Sequence, residues 1–255
     1  MLRSRRTSRL ILPICLALLF IGCAGLAPPK VQVQSLLIPI SDELEEGYTL
    51  EEDGTVVYQR QGMKVTMKFI SDEELNAAFP EHSNKGEAST NPYTYGNWID
   101  PDLGYTPNRF TVFMVTVHNY TLPKINLNPA AALLTSDRGD QLHVYVREAK
   151  EIGHLSFEDY YRERMGSSGV EQARFDERMG LIRQTLYVDG KVFKGDMKEG
   201  FLAFDPLDPR VKKIQLTLKD FVLRYDANDW PAELVDLTFP FDRRIEEKTE
   251  EEADQ

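Results

Sequence analysis

The stretch "RFTVFMVTVHN" (109–119) leaves this chain fewer architectures than any other segment. Successive side chains of an extended strand point to opposite faces. Here both sets are apolar, with Phe113, Val115 and Val117 on one and Phe110, Val112 and Met114 on the other. That pattern predicts a central strand of a β domain. A second stretch, "GMKVTMKFI" (62–70), alternates cleanly. Met63, Val65, Met67 and Phe69 share one face and Lys64, Thr66 and Lys68 the other, which predicts a half-buried strand.

The period of two continues along most of the chain. "TVVYQR" (55–60), bracketed by Asp53-Gly54 and Gln61-Gly62, predicts a short hairpin or meander. "INLNPAAALLTSDRGDQLHVYVR" (125–147) predicts a strand, a turn at 137–140, and a partner strand through Val144 and Val146. The embedded Arg138-Gly139-Asp140 is read as that turn rather than as an adhesion motif. Asp189-Gly190 predicts a tight turn inside "QTLYVDGKVFKG" (184–195). "EGFLAFDPL", "KKIQLTLKDFVLRY" and "ELVDLTFPF" supply three more strands, the middle one setting Ile214, Leu216 and Leu218 against Lys213, Gln215 and Thr217.

Two segments break this period. "SDEELNAAF" (71–79) predicts a short helix capped by Ser71, with Glu74 completing a capping box and Pro80 ending it. In 156–186, Phe175, Met179, Ile182 and Leu186 recur at helical spacing, which predicts a helix covering one end of a sheet; a partner-binding helix is the alternative. Short strands with one helical insertion predict a mainly β, antiparallel β-sandwich rather than a doubly wound sheet. The glycine and apolar positions Gly195, Gly200, Phe201, Leu202 and Phe204, with the strand ending at Asn119, resemble immunoglobulin-like domains of poorly characterised bacterial lipoproteins. The resemblance implies an immunoglobulin-like sandwich spanning 46–241 and no chemistry.

The N-terminal region carries an address. Arg3, Arg5, Arg6 and Arg9 precede the apolar run "LILPICLALLF", and small residues follow at Gly22, Ala24 and Gly25, the three parts of a secretory leader over 1–22. That run holds 11 residues, interrupted by Pro13, against the roughly 20 needed to cross a bilayer. Cys15 leaves with the leader, so Cys23 keeps no intramolecular disulfide partner. "FIGC" (20–23) resembles the lipobox of bacterial lipoproteins. The resemblance implies cleavage by signal peptidase II and acylation of Cys23. With Ala24 rather than aspartate following, it also implies the periplasmic face of the outer membrane. An ordinary secreted protein with one free cysteine is the alternative. Residues 23–45, with Pro28-Pro29, are expected to form the lipidated N-terminus and a tether. The acidic end 242–255 is expected to be a disordered tail.

The formal charge of −11 falls to −15 without the leader's four arginines. An acidic body lacking a basic stripe argues against nucleic acid as a partner, and against an anionic bilayer held by the domain surface. The membrane is reached instead through acyl chains, and the expected partner is another envelope protein. No cofactor is implied. His82, His118, His143 and His154 show no metal spacing, although His118 and His143 could pair across adjacent strands. "YDANDW" (225–230) is read as a connecting turn rather than a calcium loop.

The segment 80–110 has no periodic pattern and is long for a loop. Its first half is polar and expected to be mobile. In its second half Tyr93, Tyr95, Trp98 and Tyr105 alternate with short polar residues. Either these rings pack over an open end of the sandwich, or they form a recognition surface. The reading is a lipid-anchored envelope lipoprotein acting as a non-enzymatic binding or scaffold module. A hydrolase using carboxylates such as Asp100, Asp102 or Glu171 is one alternative, and a structural subunit of an envelope assembly is another.

Overall fold

The computed structural model describes residues 31–60, 62–149, 151 and 153–249; Cys23, the leader and residues 250–255 lie outside them. Strand β1 (Val31–Pro39) leads through a 3-10 turn into the meander β2 (Tyr48–Leu50), β3 (Val56–Arg60) and β4 (Met63–Ile70). Helices α1 (Asp72–Ala78) and α2 (Pro80–Ser83) and an irregular stretch precede β5 (Thr111–Asn119). Then come β6 (Lys124–Asn126), β7 (Ala132–Ser136), β8 (Gln141–His143), β9 (Tyr145–Val146) and β10 (Leu155–Ser156). Helices α3 (Phe157–Glu163) and α4 (Gly169–Thr185) fill the expected helical insertion. The chain closes with β11 (Lys191–Phe193), β12 (Met197–Phe204), β13 (Lys213–Tyr225) and β14 (Pro231–Thr249).

These strands form the mainly β, antiparallel sandwich that the pattern predicts. One sheet runs β12-β5-β4-β3-β2. The other runs β1-β14-β13, where β13 pairs both with β7, which holds β8, and with β6, which holds β11. Among the described residues, parallel pairing is limited to the two-residue β9–β10 ladder and a bridge from Leu186 to Phe201. A bulge lets β13 serve two partners. Leu218 pairs with Leu237 and Phe221 with Val235, so Lys219 and Asp220 oppose Asp236 alone. Asp220 adopts φ +54° there, and its N–H donates to Asp236 Oδ1 at 2.9 Å. Before the bulge β13 pairs with β7, and after it Val222 reaches β6.

The core explains why β5 is apolar on both faces. Phe113, Val115 and Val117 pack with Met63, Val65 and Met67 against Leu216, Leu218, Phe239 and Phe241 between the sheets. Val112, with Phe201 and Ala203, meets Leu75, Phe157, Phe175, Met179 and Ile182 in a second cluster under the helices. The helical segment is therefore a third layer on the five-stranded sheet, and each buried Val, Leu or Phe contributes about 1.5–3 kcal/mol relative to exposure. At α1 the local signals hold. Ser71 Oγ accepts from Glu74 N at 3.2 Å, and Glu74 Oε2 accepts from Ser71 N at 2.9 Å, closing the capping box.

Three expectations are corrected. Residues 31–39, assigned to the tether, form β1, with Leu37 only 5% exposed in the core. Residues 242–249, assigned to a disordered tail, continue β14, because β1 provides their hydrogen-bond ladder. Asp189-Gly190 does not make the expected tight turn. Lys191 to Phe193 pair with β6, while Tyr187 N donates to Phe201 O at 3.0 Å across the edge of β12. Gly200 permits that crossing, since a Cβ there would lie 2.4 Å from Tyr187 N. α1 ends before Pro80, as expected, and Pro80 also starts α2 at its first position.

Candidate functional site

The polar first half of the 80–110 segment is anchored in the body by the buried side chains of Ser83, Ser89, Thr90, Asn91 and Thr94. Asn91 is fully buried, and its Nδ2 donates to Leu75 O at 3.2 Å and to Ser83 Oγ at 3.0 Å. Its Oδ1 accepts from Tyr93 N at 2.9 Å. The N–H groups of Thr90 and Asn91 both donate to His82 O, at 2.8 and 2.9 Å. Gly96, at φ +64°, closes the segment where a Cβ would sit 2.3 Å from Ser83 O. Sequence periodicity misses this because the stabilising contacts are hydrogen bonds between distant short side chains, which leave no repeat.

Tyr93 belongs to this buried half. Its ring, with no exposure, lies 5.1 Å from that of Phe201 and 5.8 Å from that of Phe157, and its hydroxyl meets Thr185 Oγ1 at 2.6 Å. A partner cannot touch it, so Tyr93 is removed from the recognition candidates. Tyr95, Trp98 and Tyr105 are half-buried. Tyr95 stacks on the Arg109 guanidinium at 4.0 Å and lies 5.5 Å from the ring of Trp98.

Beyond Tyr95 the chain forms a turn held by its own groups. Asp100 Oδ1 accepts from Asp102 N at 2.8 Å and Leu103 N at 3.1 Å, and Asp100 O accepts from Gly104 N at 2.8 Å. Thr106 Oγ1 donates to Trp98 O at 2.6 Å. The tip carries Ile99, 42% exposed, and Leu103, 50% exposed. The aromatic pattern alone does not single these two out. The signal that could have found them is an apolar residue on each side of an Asp-Pro-Asp turn.

Beneath the turn lies a stack of cations and rings. Arg109 Nη1 donates to Asn91 O and to Tyr161 Oη, each at 3.1 Å. Arg178 lies 5.1 Å from the centre of the Tyr161 ring and donates to Ser89 O at 3.0 Å. Among the described residues neither guanidinium makes an ion pair with a carboxylate, so aromatic faces and carbonyls hold both charges. Asp72 is close by. Burial pushes its carboxyl up to about 7, opposed by a hydrogen bond from Asn108 and the charge of Arg109.

The remaining candidates do not assemble into a reactive centre. His118 and His143 lie on β5 and β8, in different sheets, and the His118 ring stacks on Tyr120 at 3.9 Å. His82 Nδ1 meets Thr90 Oγ1 at 2.8 Å, but that hydroxyl gives its proton to Glu177 Oε2 at 2.8 Å. His82 must then donate to Thr90, the reverse of a base activating a nucleophile. Asp100 and Asp102 shape the turn, while Glu171 accepts from Arg174 Nη1 at 2.6 Å within α4. In the 225–230 turn Asp226 Oδ1 accepts from Asn228 N and Trp230 N, each at 2.9 Å, and Asp229 binds Lys124 and Lys191. Among the described residues no group of three or more His, Cys, Asp and Glu could hold a metal ion.

A groove of about 450 Å³ is lined by residues 128–130, 146–148, 151, 154 and 186–189. Pro129, Val146, Leu186 and Val188 line it, with Asp189 and the Arg147–Glu148 ion pair. Tyr187 also lines it, and among the described residues its buried hydroxyl has no hydrogen-bond partner. The α4 residues Phe175, Met179 and Ile182 are buried, as expected of a covering helix. Among the described residues no helix is long and apolar enough to cross a membrane. No family model and no curated protein matches the chain. Among solved structures it is similar to the yjhA protein from Bacillus subtilis, at 12% identity and a TM-score of 0.35, over 71% of this chain and 93% of that one.

Proposed function

We propose that this chain is a lipid-anchored bacterial envelope protein that acts as a non-enzymatic binding or scaffold module, with the 97–105 turn as its recognition surface. One observation carries the reading. The turn is fixed by its own hydrogen bonds and braced by Tyr95 on Arg109, yet it holds Ile99 and Leu103 in solvent. A pre-ordered apolar tip loses little conformational entropy on binding, so its burial goes into affinity. The leader, the "FIGC" motif and Cys23 support the anchor, and Ala24 supports the outer membrane. From Cys23 to the start of β1 at Val31 is eight residue steps, a reach of at most about 29 Å. The body would stand close to the membrane, where an envelope partner is within reach.

The test is cross-linking in intact cells with the double substitution Ile99→Ser and Leu103→Ser. The expected result is loss of a specific cross-linked partner with an unchanged thermal midpoint. Retention of every partner would remove the turn from consideration. For the anchor, Cys23→Ala should abolish metabolic acyl labelling and signal-peptidase-II processing, and labelling that persists would defeat the lipoprotein assignment.

A further inference from the structure

The two sheets end in edge strands that are protected unequally. A bare strand edge is a row of unpaired N–H and C=O groups, and proteins blunt it by shortness, cover, bulges, proline or charge. In the five-stranded sheet β2 has three residues, and the edge of β12 is crossed by Leu186 and Tyr187. In the other sheet β8 and β11 have three residues each. β1 is different. Nine consecutive residues pair with β14 in one unbroken register, and among the described residues nothing pairs with the other edge. Its sequence, "VQVQSLLIP", contains no charged residue in a chain that is 28% charged. Only Pro39, at its very end, belongs to the usual protections.

We propose that β1 is an association edge whose occupant is a second copy of this chain, paired antiparallel about a two-fold axis at Ser35. Two seven-stranded sheets would then become one continuous sheet. An antiparallel edge is self-complementary, because each group that one copy offers meets its counterpart in the other. Charge favours this place of contact. The β14 segment beside β1 holds three acids, Asp242, Glu246 and Glu247, and three bases, Arg243, Arg244 and Lys248. The ribbon is thus neutral on a chain of formal charge −11, so two like-charged copies approach there with least repulsion.

With Ser35 on the axis, residue 34 of each copy lies opposite residue 36 of the other. Sedimentation of the purified full chain over a concentration series should show a reversible dimer. Gln34→Lys with Leu36→Lys sets lysines directly opposite one another and should weaken the dimer about tenfold or more. Mixing that variant with the Gln34→Glu, Leu36→Glu variant should restore a heterodimer. In the unsubstituted chain, alternate β1 amides should gain protection from hydrogen exchange as concentration rises. A monomer at every concentration, or β1 exchange indifferent to concentration, would overturn the proposal. So would a dimer insensitive to the lysine pair. The exchange arm decides the matter even if the lysine variant fails to fold.

Discussion

The two halves of the 80–110 segment both lack a periodic pattern, yet the structure treats them in opposite ways. Residues 80–94 are short and polar, yet Ser83, Ser89, Thr90, Asn91 and Thr94 are buried. Residues 97–105 contain two large aliphatic side chains, Ile99 and Leu103, and these are exposed. Polarity does not decide which half is inside. What decides is whether the polar groups find partners: Asn91 uses both ends of its amide on Leu75, Ser83 and Tyr93. The exposed half satisfies its polar groups locally, through the Asp100 turn, and so needs no cover.

The contrast can be broken at several points. Tyr93→Ala empties a fully enclosed aromatic site and should destabilise the fold by about 3–5 kcal/mol in denaturant unfolding. A loss under about 1 kcal/mol would mean that this half is not part of the core. Asn91→Ala removes the side-chain acceptor of Tyr93 N and the amide donor to Leu75 O and Ser83 Oγ, and should cost about 2–3 kcal/mol by the same measurement.

The next effect depends on pH. The Asp72 carboxyl, pushed up to about 7 by burial, binds its proton more tightly in the folded chain than in the unfolded one. Its favourable contribution is therefore complete below the ordinary carboxylate range and is lost as pH rises through about 7. The thermal midpoint of Asp72→Asn should gain on that of the unsubstituted chain across this interval and run parallel to it above. A gap that opens in the opposite direction would contradict the burial of this carboxyl beside Arg109. The smallest effect belongs to the tip. Ile99→Ser with Leu103→Ser should change stability by no more than about 0.5 kcal/mol.

Legibility followed the range of the interactions. The two faces of β5, the capping box at Ser71 and Glu74, and the 137–140 turn were readable, since each is a pattern within a few residues. The strand at 242–249 was not. "DRRIEEKT" carries charge at most positions and looks like a tail, and only the nine-residue ladder with β1 makes it a strand. The tight turn expected at Asp189-Gly190 failed for the same reason in reverse, because β6 took the ladder of residues 191–193. At the candidate site the aromatic pattern drew attention to the 80–110 segment as a whole. It could not separate Tyr93, enclosed by Phe157 and Phe201, from Tyr95 and Trp98 beside the turn.

By itself, then, the sequence determined the strand faces, the ends of α1 and the kind of fold, because periodicity and capping act over a few residues. Tertiary structure alone decided that Asn91 is inside and Leu103 outside, and that an uncharged N-terminal segment and a charged C-terminal one form a paired ribbon. Burying a polar group, or ordering a polar strand, requires partners that the fold brings from far along the chain. No local pattern records where those partners will be.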